Sequence, residues 1–270
     1  SQVAWPYYAR RYAKDFDAVP VFLLFLGYPR SGHTLVGSLL DAHPEAWIAH
    51  ELDVLRYIHK GSSRNEIMGR LIGRGKWFRS RNYTWTGYSY NVPNQWQGKF
   101  RKLQVIGDKR GGATTRWLTE NPGLLNRLQE VIGTQIRIVH NVRNPYDNIA
   151  TRARDGSLNP RKVDEQLLLR KIQAHFRDVE TISHVLNHEQ PPVLTIRHED
   201  FIAAPRQQLE KLCRFAGLEP REDYLADAAS LVRASQRKSR HKISWSPKAK
   251  ALVAEKIAQY GFLHGYSFEE

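Results

Sequence analysis

A glycine-containing loop near the N-terminus has the spacing of an anion-binding site. Residues 27–34 read GYPRSGHT, the G-x-x-x-x-G-x-T frame of a Walker A phosphate loop. Backbone N–H groups of such a loop, with the N-terminus of the helix that follows, hold an anionic group. His33 stands where the motif has its lysine, and Arg30 is the cation inside the loop. Because that lysine serves the β- and γ-phosphates of a triphosphate, the loop predicts a nucleotide whose reactive end is not a γ-phosphate.

A second anion site is predicted at Arg143, which follows an apolar run. Asn144 suits the N-cap of a helix and Pro145 suits its first position, so a helix is expected to begin there. Arg143 then lies at the carboxyl end of a strand, and Thr151 lies two turns into the helix. A guanidinium and a hydroxyl in this arrangement can bind a compact phosphate group.

Together these two motifs resemble those of sulfotransferases that use 3′-phosphoadenylyl sulfate (PAPS). Residues 27–51, GYPRSGHTLVGSLLDAHPEAWIAHE, are similar to the 5′-phosphosulfate loop of the tyrosylprotein, Golgi-type and bacterial branch, and the resemblance covers roughly residues 21–268. It implies a 5′-phosphosulfate site formed by Arg30, Ser31, Gly32, His33 and Thr34. It also implies that Arg143 and Thr151 bind the 3′-phosphate. The departure inside the loop is His33, where the family has Thr or Ser.

The resemblance also implies which residues carry out the transfer. Glu51 matches the glutamate that acts as general base, and Lys109 matches the lysine that stabilises charge at the bridging oxygen. Arg30 would be a further electrophilic stabiliser, and His33 an auxiliary donor or an alternative base. A lone glutamate at a strand end is more commonly a salt-bridge partner, and that interpretation of Glu51 stays open.

A histidine and a late basic loop complete the predicted nucleotide site. His198 stands at the position of the family's tyrosine against the adenine and could stack in its place, although a solvated loop histidine is the alternative. A late basic loop closes over the nucleotide in this family. Its candidates here, matched loosely, are Arg237, Lys238, Arg240 and Lys242. A solvated basic surface is the alternative for that group.

Buried strands must present these residues at one edge of a sheet. The apolar runs that predict strands are Val21–Leu26, Leu103–Gly107, Ile136–Val142 and Pro192–Arg197. Helical patterns lie at Leu35–Ala42, Asn121–Ile132, Pro145–Arg154, Asp164–Leu186, Pro205–Ala216 and Pro247–Tyr260. This alternation predicts an α/β, P-loop-like three-layer fold with a central parallel sheet flanked by helices. Ligands of such folds bind at the carboxyl ends of the strands. We interpret residues 1–270 as a single domain.

The segment over about residues 76–102 interrupts the alternation. Eight aromatic residues lie between Lys76 and Phe100, among Gly, Asn, Ser and Gln, with poor periodicity. A long irregular segment of this kind predicts an insertion or lid over a site. A satellite hydrophobic cluster is the alternative. As part of an acceptor site, these rings suit a sugar, a phenol or a flat natural product.

Positive charge is concentrated in two stretches of the chain. The formal net charge is +14, and Arg56–Arg116 holds fourteen Lys and Arg against two acids. Arg233–Lys256 holds eight Lys and Arg against one acid. Such local surpluses predict anionic ligands. PAPS accounts for part of the charge, and the rest indicates that the small-molecule, glycan or peptide acceptor is itself anionic.

The predicted function is therefore transfer of the sulfuryl group from PAPS to a hydroxyl or amine, with PAP as product and no metal. One alternative is a P-loop small-molecule kinase using ATP and Mg²⁺, in which Asp108 would be a Walker B carboxylate. Another is a non-catalytic nucleic-acid or polyanion binder, which would not explain the phosphate loop. We therefore expect no nucleic-acid partner.

Composition excludes several other classes. No apolar stretch reaches 18 residues, so no transmembrane helix is predicted. The single cysteine, Cys213, excludes an internal disulfide framework and a cysteine-based zinc site. A cytoplasmic location is expected, with a lumenal catalytic fragment that has lost an anchor as the alternative.

Overall fold

Five parallel strands form the central sheet of the computed structural model, which describes residues 4–155, 163–189, 191–233 and 238–269. The strands in chain order are β1 (Val21–Gly27), β2 (Ala46–His50), β3 (Thr84–Trp85), β4 (Tyr88–Ser89), β5 (Val105–Lys109), β6 (Gln135–Val142) and β7 (Val193–Arg197). The sheet order is β2-β5-β1-β6-β7, with β1 in the centre, while β3 and β4 form a separate antiparallel hairpin.

Helices cover both faces of this sheet. They are α1 (Trp5–Arg11), α2 (Ala13–Asp17), α3 (His33–Asp41), α4 (Val54–His59), α5 (Arg64–Ser80), α6 (Gly111–Glu120), α7 (Leu124–Ile132), α8 (Pro145–Asp155), α9 (Glu165–His188), α10 (His198–Ala203), α11 (Pro205–Ala216), α12 (Glu222–Ser230) and α13 (Pro247–Ala258). Short 3₁₀ turns lie at Ser239–Lys242 and Gly261–Leu263. Within the described ranges, every helix is too short or too polar to cross a lipid bilayer.

The central strand β1 explains why the predicted three-layer fold forms. Every residue of β1 is buried, because it pairs with β5 on one side and β6 on the other. Its side chains alternate between two cores: Phe22, Leu24 and Leu26 pack on one face, and Leu23 and Phe25 on the other. Burying each of these side chains stabilises the fold by about 1.5–3 kcal/mol. The predicted α/β architecture is confirmed.

The neighbouring strand β5 extends further than its apolar run predicts. The expected strand, Leu103–Gly107, is displaced to Val105–Lys109, so two charged residues lie inside the sheet. Both Asp108 and Lys109 are buried, and both have polar partners described below. Strand β2 forms from the apolar run before Glu51, and its last residue, His50, lies beside Lys109. This register brings Glu51 and Lys109 to the same edge of the sheet.

Helix α5 was not among the predicted helices, because its sequence is interrupted by three glycines. The structure shows what two of them do. A Cβ on Gly69 would overlap the Trp5 carbonyl, and a Cβ on Gly75 would lie 2.5 Å from the Trp47 ring. Close packing therefore offsets the weak helix propensity. As a result the aromatic segment begins within α5, and its irregular part follows Ser80.

Candidate functional site

A cleft of about 1030 Å³ opens at the carboxyl edge of the sheet. The phosphate loop, the β3–β4 hairpin, α8, the start of α10, residues 231–233 and residues 239–242 surround it. The predicted site residues that line it are Arg30, Gly32, His33, Thr34, Glu51, Arg143, Thr151, His198 and Lys242. The fold thus brings together residues that are far apart in the sequence.

The phosphate loop turns sharply before helix α3. Arg30 (φ +70°) and Gly32 (φ +90°) are in the left-handed region, and α3 begins at His33. Only glycine fits at position 32, because a Cβ there would overlap the imidazole of His198. The amides at the start of α3 have no intrahelical acceptor, as at every helix N-terminus. This geometry leaves backbone donors at the cleft, as the loop motif predicts.

Ser31 and His33, on either side of Gly32, are both buried and contact each other. Ser31 is fully buried, and its Oγ lies 3.1 Å from Nδ1 of His33. Burial, together with Lys109, Arg110 and Arg30, holds the pKa of His33 well below its ordinary value. His33 is therefore a neutral ring near pH 7 and a weak proton acceptor. This weakens its case as the alternative base.

Arg30 lies at the mouth of the cleft. Its Nε and Nη2 contact Oδ2 of Asp155 at 2.9 and 2.8 Å, and the two side chains are 41% and 47% exposed. The Arg30 carbonyl accepts a hydrogen bond from Nη1 of Arg143 at 3.3 Å. The cation of the loop is thus held by an acid from the end of α8, and its backbone is tied to the second predicted anion site.

Glu51, Lys109 and Thr34 form a connected cluster. The Lys109 ammonium donates to Oε1 of Glu51 and to Oγ1 of Thr34, both at 3.0 Å. Arg110 pairs with the other carboxylate oxygen of Glu51. The lysine stem crosses Gly37 so closely that a Cβ there would lie 2.6 Å from its Cγ. The lysine therefore links the start of α3 to the carboxylate on the next strand.

The electrostatics of Lys109 follow from its burial, since its side chain is only 1% exposed. Burial lowers its pKa to about 8, although Glu51 acts in the opposite direction. The ammonium form is therefore present at neutral pH and is lost in mildly alkaline solution. Such a donor can be both charged and exchangeable close to physiological pH.

Asp108 supports the loop that carries Glu51 and does not line the cleft. Glu51 (φ +59°) and Asp53 (φ +71°) are both left-handed, which is unusual for residues other than glycine. The Asp108 carboxylate fixes this loop by accepting hydrogen bonds from the amides of Leu52 at 2.9 Å and Val54 at 2.8 Å. Burial raises its pKa to about 6. Since both oxygens serve the backbone, the structure gives the kinase alternative no support from Asp108.

Arg143, which follows β6, and Thr151, on α8, also line the cleft. As predicted, Asn144 caps α8: its Oδ1 accepts from the amide of Tyr146 at 3.0 Å. The hydroxyl of Tyr28 donates to the Arg143 carbonyl at 2.8 Å and accepts from its amide at 2.9 Å, which fixes the end of β6. The Thr151 hydroxyl donates to the Asp147 carbonyl one turn earlier, at 2.8 Å.

His198 lies between the two anion sites, at the start of α10 and against Gly32. Burial and the neighbouring Arg143 lower its pKa to about 3, so the ring is neutral at physiological pH. It lines the cleft as a flat uncharged surface. This is a different environment from the solvated loop that was its alternative.

The late basic loop reaches the cleft only in part. Lys242 and Ser239 line it, but Lys238 and Arg240 do not, and Arg237 lies outside the described residues. Arg240 is 2% exposed: its amide donates to Oδ1 of Asp147 at 2.9 Å and its Nη1 to Oδ2 at 3.0 Å. Arg240 therefore makes a buried ion pair instead of facing a ligand.

Other residues lining the cleft were not identified from the sequence. Arg154 lies three residues after Thr151 on α8, and this i, i+3 spacing could have identified it. Arg233 adds a further cation. Two tyrosines and a tryptophan of the hairpin also face the cleft, namely Trp85, Tyr88 and Tyr90. No sequence signal separated these three rings from the rest of the aromatic segment.

Comparison with known proteins gives one family and one fold. A model of the sulfotransferase family matches residues 20–223. The sulfotransferase domain of the Synechococcus PCC 7002 olefin synthase is 16% identical, with a TM-score of 0.51 over 89% of this chain and 95% of that chain. Sulfotransferase STF9 from Mycobacterium avium is 11% identical, with a TM-score of 0.52 over 96% and 81%. Mouse sulfotransferase SULT7A1, complexed with PAP, is 16% identical, with a TM-score of 0.50 over 91% and 87%. At such identities these likenesses show a shared fold. No curated protein matches the sequence significantly.

Proposed function

Since the chain belongs to the sulfotransferase family, as its motifs indicated, we propose that it moves a sulfuryl group from PAPS to a hydroxyl or amine. The observation that carries this proposal is the cluster of Glu51, Lys109 and Thr34. It joins the N-terminus of the phosphate-loop helix to a carboxylate by hydrogen bonds of 3.0 Å. A proton acceptor and a predicted anion-binding loop thus line the cleft, with a buried cationic donor in contact with both.

PAPS fits the residues that line the cleft. Because of the left-handed turn at Gly32, the first backbone amides of α3 are available at the cleft, where they would hold the 5′-phosphosulfate. Arg143 and Thr151 would hold the 3′-phosphate, and the neutral ring of His198 offers a surface for the adenine. Among the described residues that line the cleft, five Lys and Arg outnumber two acids. This balance suits a nucleotide with several negative charges.

When bound, PAPS would supply a sulfuryl group joined to a phosphate that can leave. Glu51 is placed to take the proton of the acceptor hydroxyl. Lys109, held between Glu51 and Thr34, is placed to donate a hydrogen bond to an oxygen that gains negative charge. Arg30, at the mouth, adds positive charge on the opposite side of the loop.

Binding of adenosine 3′,5′-bisphosphate (PAP) tests the donor site. We expect PAP to raise the melting temperature without Mg²⁺, because Lys, Arg and backbone amides supply the positive charge. Arg143→Ala should weaken PAP binding about 10-fold or more and leave binding of 5′-AMP nearly unchanged, since only PAP has the 3′-phosphate. Arg206→Ala is the matched control, because Arg206 is exposed and does not line the cleft.

Two results would overturn parts of this proposal. Equal losses of PAP and 5′-AMP affinity in Arg143→Ala would remove the 3′-phosphate assignment. Stabilisation by ATP with Mg²⁺, and none by PAP, would replace the sulfotransferase proposal with the kinase alternative.

A further inference from the structure

The wall of the cleft facing the phosphate loop is aromatic and uncharged. The β3–β4 hairpin, here residues 84–90, has the sequence TWTGYSY. Trp85, Tyr88 and Tyr90 line the cleft, together with the hydroxyl residues Thr86 and Ser89. This aromatic hairpin therefore offers rings and single hydroxyls to whatever lies between it and Glu51.

The rings of the aromatic hairpin are fixed by their neighbours. Trp85 meets His50 edge-to-face with ring centroids 4.8 Å apart, and His50 stacks on Phe78 at 3.8 Å. Trp77 lies behind Trp85 at 6.3 Å, and the Arg74 guanidinium is 3.8 Å from the centroid of Trp77. Because His50 directly precedes Glu51, this stack ties the aromatic wall to the strand that carries the proposed base.

Tyr90 lines the same cleft as Arg30 and Glu51. Burial is the main cause that raises its pKa, and Tyr88, Arg30 and Glu51 all act on its hydroxyl electrostatically. The aromatic wall, the loop cation and the carboxylate therefore border one cleft, so a molecule stacked on this wall would occupy the cleft that Glu51 also lines.

The fourteen Lys and Arg residues of the stretch Arg56–Arg116 do not line the cleft, although they flank the hairpin in the sequence. Several of these cations have protein partners instead. Arg70 pairs with Glu66, and Lys109 and Arg110 pair with Glu51. The carbonyls of Ile132, His50 and Gly98 accept from Arg64, Arg74 and Lys76, respectively. Several of the positive charges that suggested an anionic acceptor therefore bind groups of the protein itself.

We infer that the acceptor is an uncharged phenol whose ring stacks on the aromatic hairpin; this inference rests on the proposed function. An aromatic ring matches a wall of three rings by offset or edge-to-face contact. A sugar is less suited, because its many hydroxyls need several partners each, and the hairpin offers only single hydroxyls beside its rings, with no Asn or Gln among the described lining residues. An anionic acceptor would find no Lys or Arg on this wall.

The transfer balances with a phenol. The phenolic O–H bond breaks and its proton goes to Glu51, while the phenolic oxygen forms a bond to sulfur. The bond between sulfur and the phosphate oxygen of PAPS breaks, and that oxygen keeps the electron pair. The products are an aryl sulfate ester and PAP, with no oxidant or further reactant.

A matched pair of acceptors tests the inference with labelled PAPS. We expect kcat/KM for 2-naphthol to exceed that for 6-hydroxy-2-naphthoic acid about 10-fold or more, because the carboxylate would be desolvated without a partner. A neutral oligosaccharide should accept less than either. Preference for the carboxylate or the oligosaccharide, or transfer to none of the three, would overturn the phenol assignment.

Substitutions of two tryptophans distinguish a loss of stacking on the acceptor from a general loss of folding. Trp85→Ala should raise KM for 2-naphthol ~2- to 10-fold without changing PAP affinity, and Trp85→Phe should restore most of the loss. Trp96→Ala is the control: Trp96 belongs to the same aromatic segment and is 39% exposed, but does not line the cleft. Equal effects of Trp85→Ala and Trp96→Ala would also overturn the assignment. Failure of PAP to bind the unaltered protein would instead contradict the proposed function itself.

Discussion

The two ends of the cleft are built from different material. At the proposed donor end, Gly32, Arg143 and His198 follow β1, β6 and β7, so the central sheet positions all three. At the proposed acceptor end, a hairpin of two-residue strands outside that sheet carries Trp85, Tyr88 and Tyr90. Backbone geometry and fixed charges form the first end, and aromatic packing forms the second.

This difference explains what each end can tolerate. A phosphate site depends on amides and cations at set positions, so small displacements of the sheet would disturb it. A stacking wall depends on the presence of flat surfaces and tolerates changes of detail. We therefore expect substitutions at the donor end and around the base to have larger effects than those at the hairpin.

The largest effect is expected at the carboxylate where the two ends meet. Glu51→Gln keeps the shape of the side chain but cannot take a proton, so kcat should fall about 100-fold or more. PAP affinity, measured by calorimetry, should stay within about twofold of the original value. Glu45→Gln is the control, since Glu45 pairs with Arg101 away from the cleft. Unchanged turnover in Glu51→Gln would remove Glu51 as the base.

The next effect concerns the buried support of the donor end. Arg240→Met leaves the Asp147 carboxylate buried without its cation, which should lower the free energy of unfolding by about 3–5 kcal/mol in urea titrations. The double variant Arg240→Met/Asp147→Asn should recover part of that loss, because no charge is then left unpaired. Glu222→Gln breaks an exposed pair with Arg206 and should change little. If Arg240→Met lowers the free energy of unfolding as little as Glu222→Gln does, the pair of Arg240 and Asp147 does not stabilise the donor end.

A pH effect is expected at the lysine that links the ends. Lys109 has a pKa of about 8, so log kcat should fall by about one per pH unit above that value, as the ammonium donor is lost. Stability should change in the opposite direction. The unfolded chain keeps this proton up to its ordinary pKa of 10.5, so this group makes the free energy of unfolding rise between about pH 8 and 10.5.

Lys109→Arg tests that assignment, because arginine stays protonated over the whole range. If this variant folds, as circular dichroism and PAP binding would show, its alkaline decline in kcat should vanish. The same decline in the variant would assign the titration to another group.

The smallest effect is expected at the mouth of the donor end. An anionic donor must compete with Asp155 for Arg30, and both side chains are exposed, so the pair is weak. Asp155→Asn should therefore tighten PAP binding ~2- to 5-fold, most visibly at low salt. Weaker PAP binding in this variant would mean that Asp155 positions Arg30 for the donor and does not compete with it.

The two ends of the cleft also differ in how much of their structure could be predicted from the sequence. The phosphate loop, the strand before Arg143 and the cap at Asn144 were predicted because short motifs and apolar runs specify them locally. Strand β5 was misplaced by two residues, because Asp108 and Lys109 are polar and are buried only with distant partners. Asp108 accepts from the amides of Leu52 and Val54, and Lys109 donates to Thr34 and Glu51. Such partners are visible only after folding.

Two further differences have the same origin. Arg240 was grouped with the ligand-binding cations, since a run of basic residues does not distinguish a buried partner of Asp147 from a ligand contact. Helix α5 was hidden by glycines whose role is close packing against Trp5 and Trp47. Among the aromatic residues, Trp85 lies in the hairpin and lines the cleft, whereas Trp96 lies outside both, and the sequence pattern does not distinguish the two.

The turn of the hairpin has an evolutionary consequence. Gly87 lies at the turn, and a side chain added there would meet no protein atom within 4 Å. Gly87 also lines the cleft, so residues inserted at this turn would project into the open space of the cleft, away from the five-stranded sheet. A lineage could thus exchange one acceptor for another by lengthening a single loop, keeping the same donor and the same reaction. Directed evolution of new sulfation catalysts could begin with random insertions at Gly87.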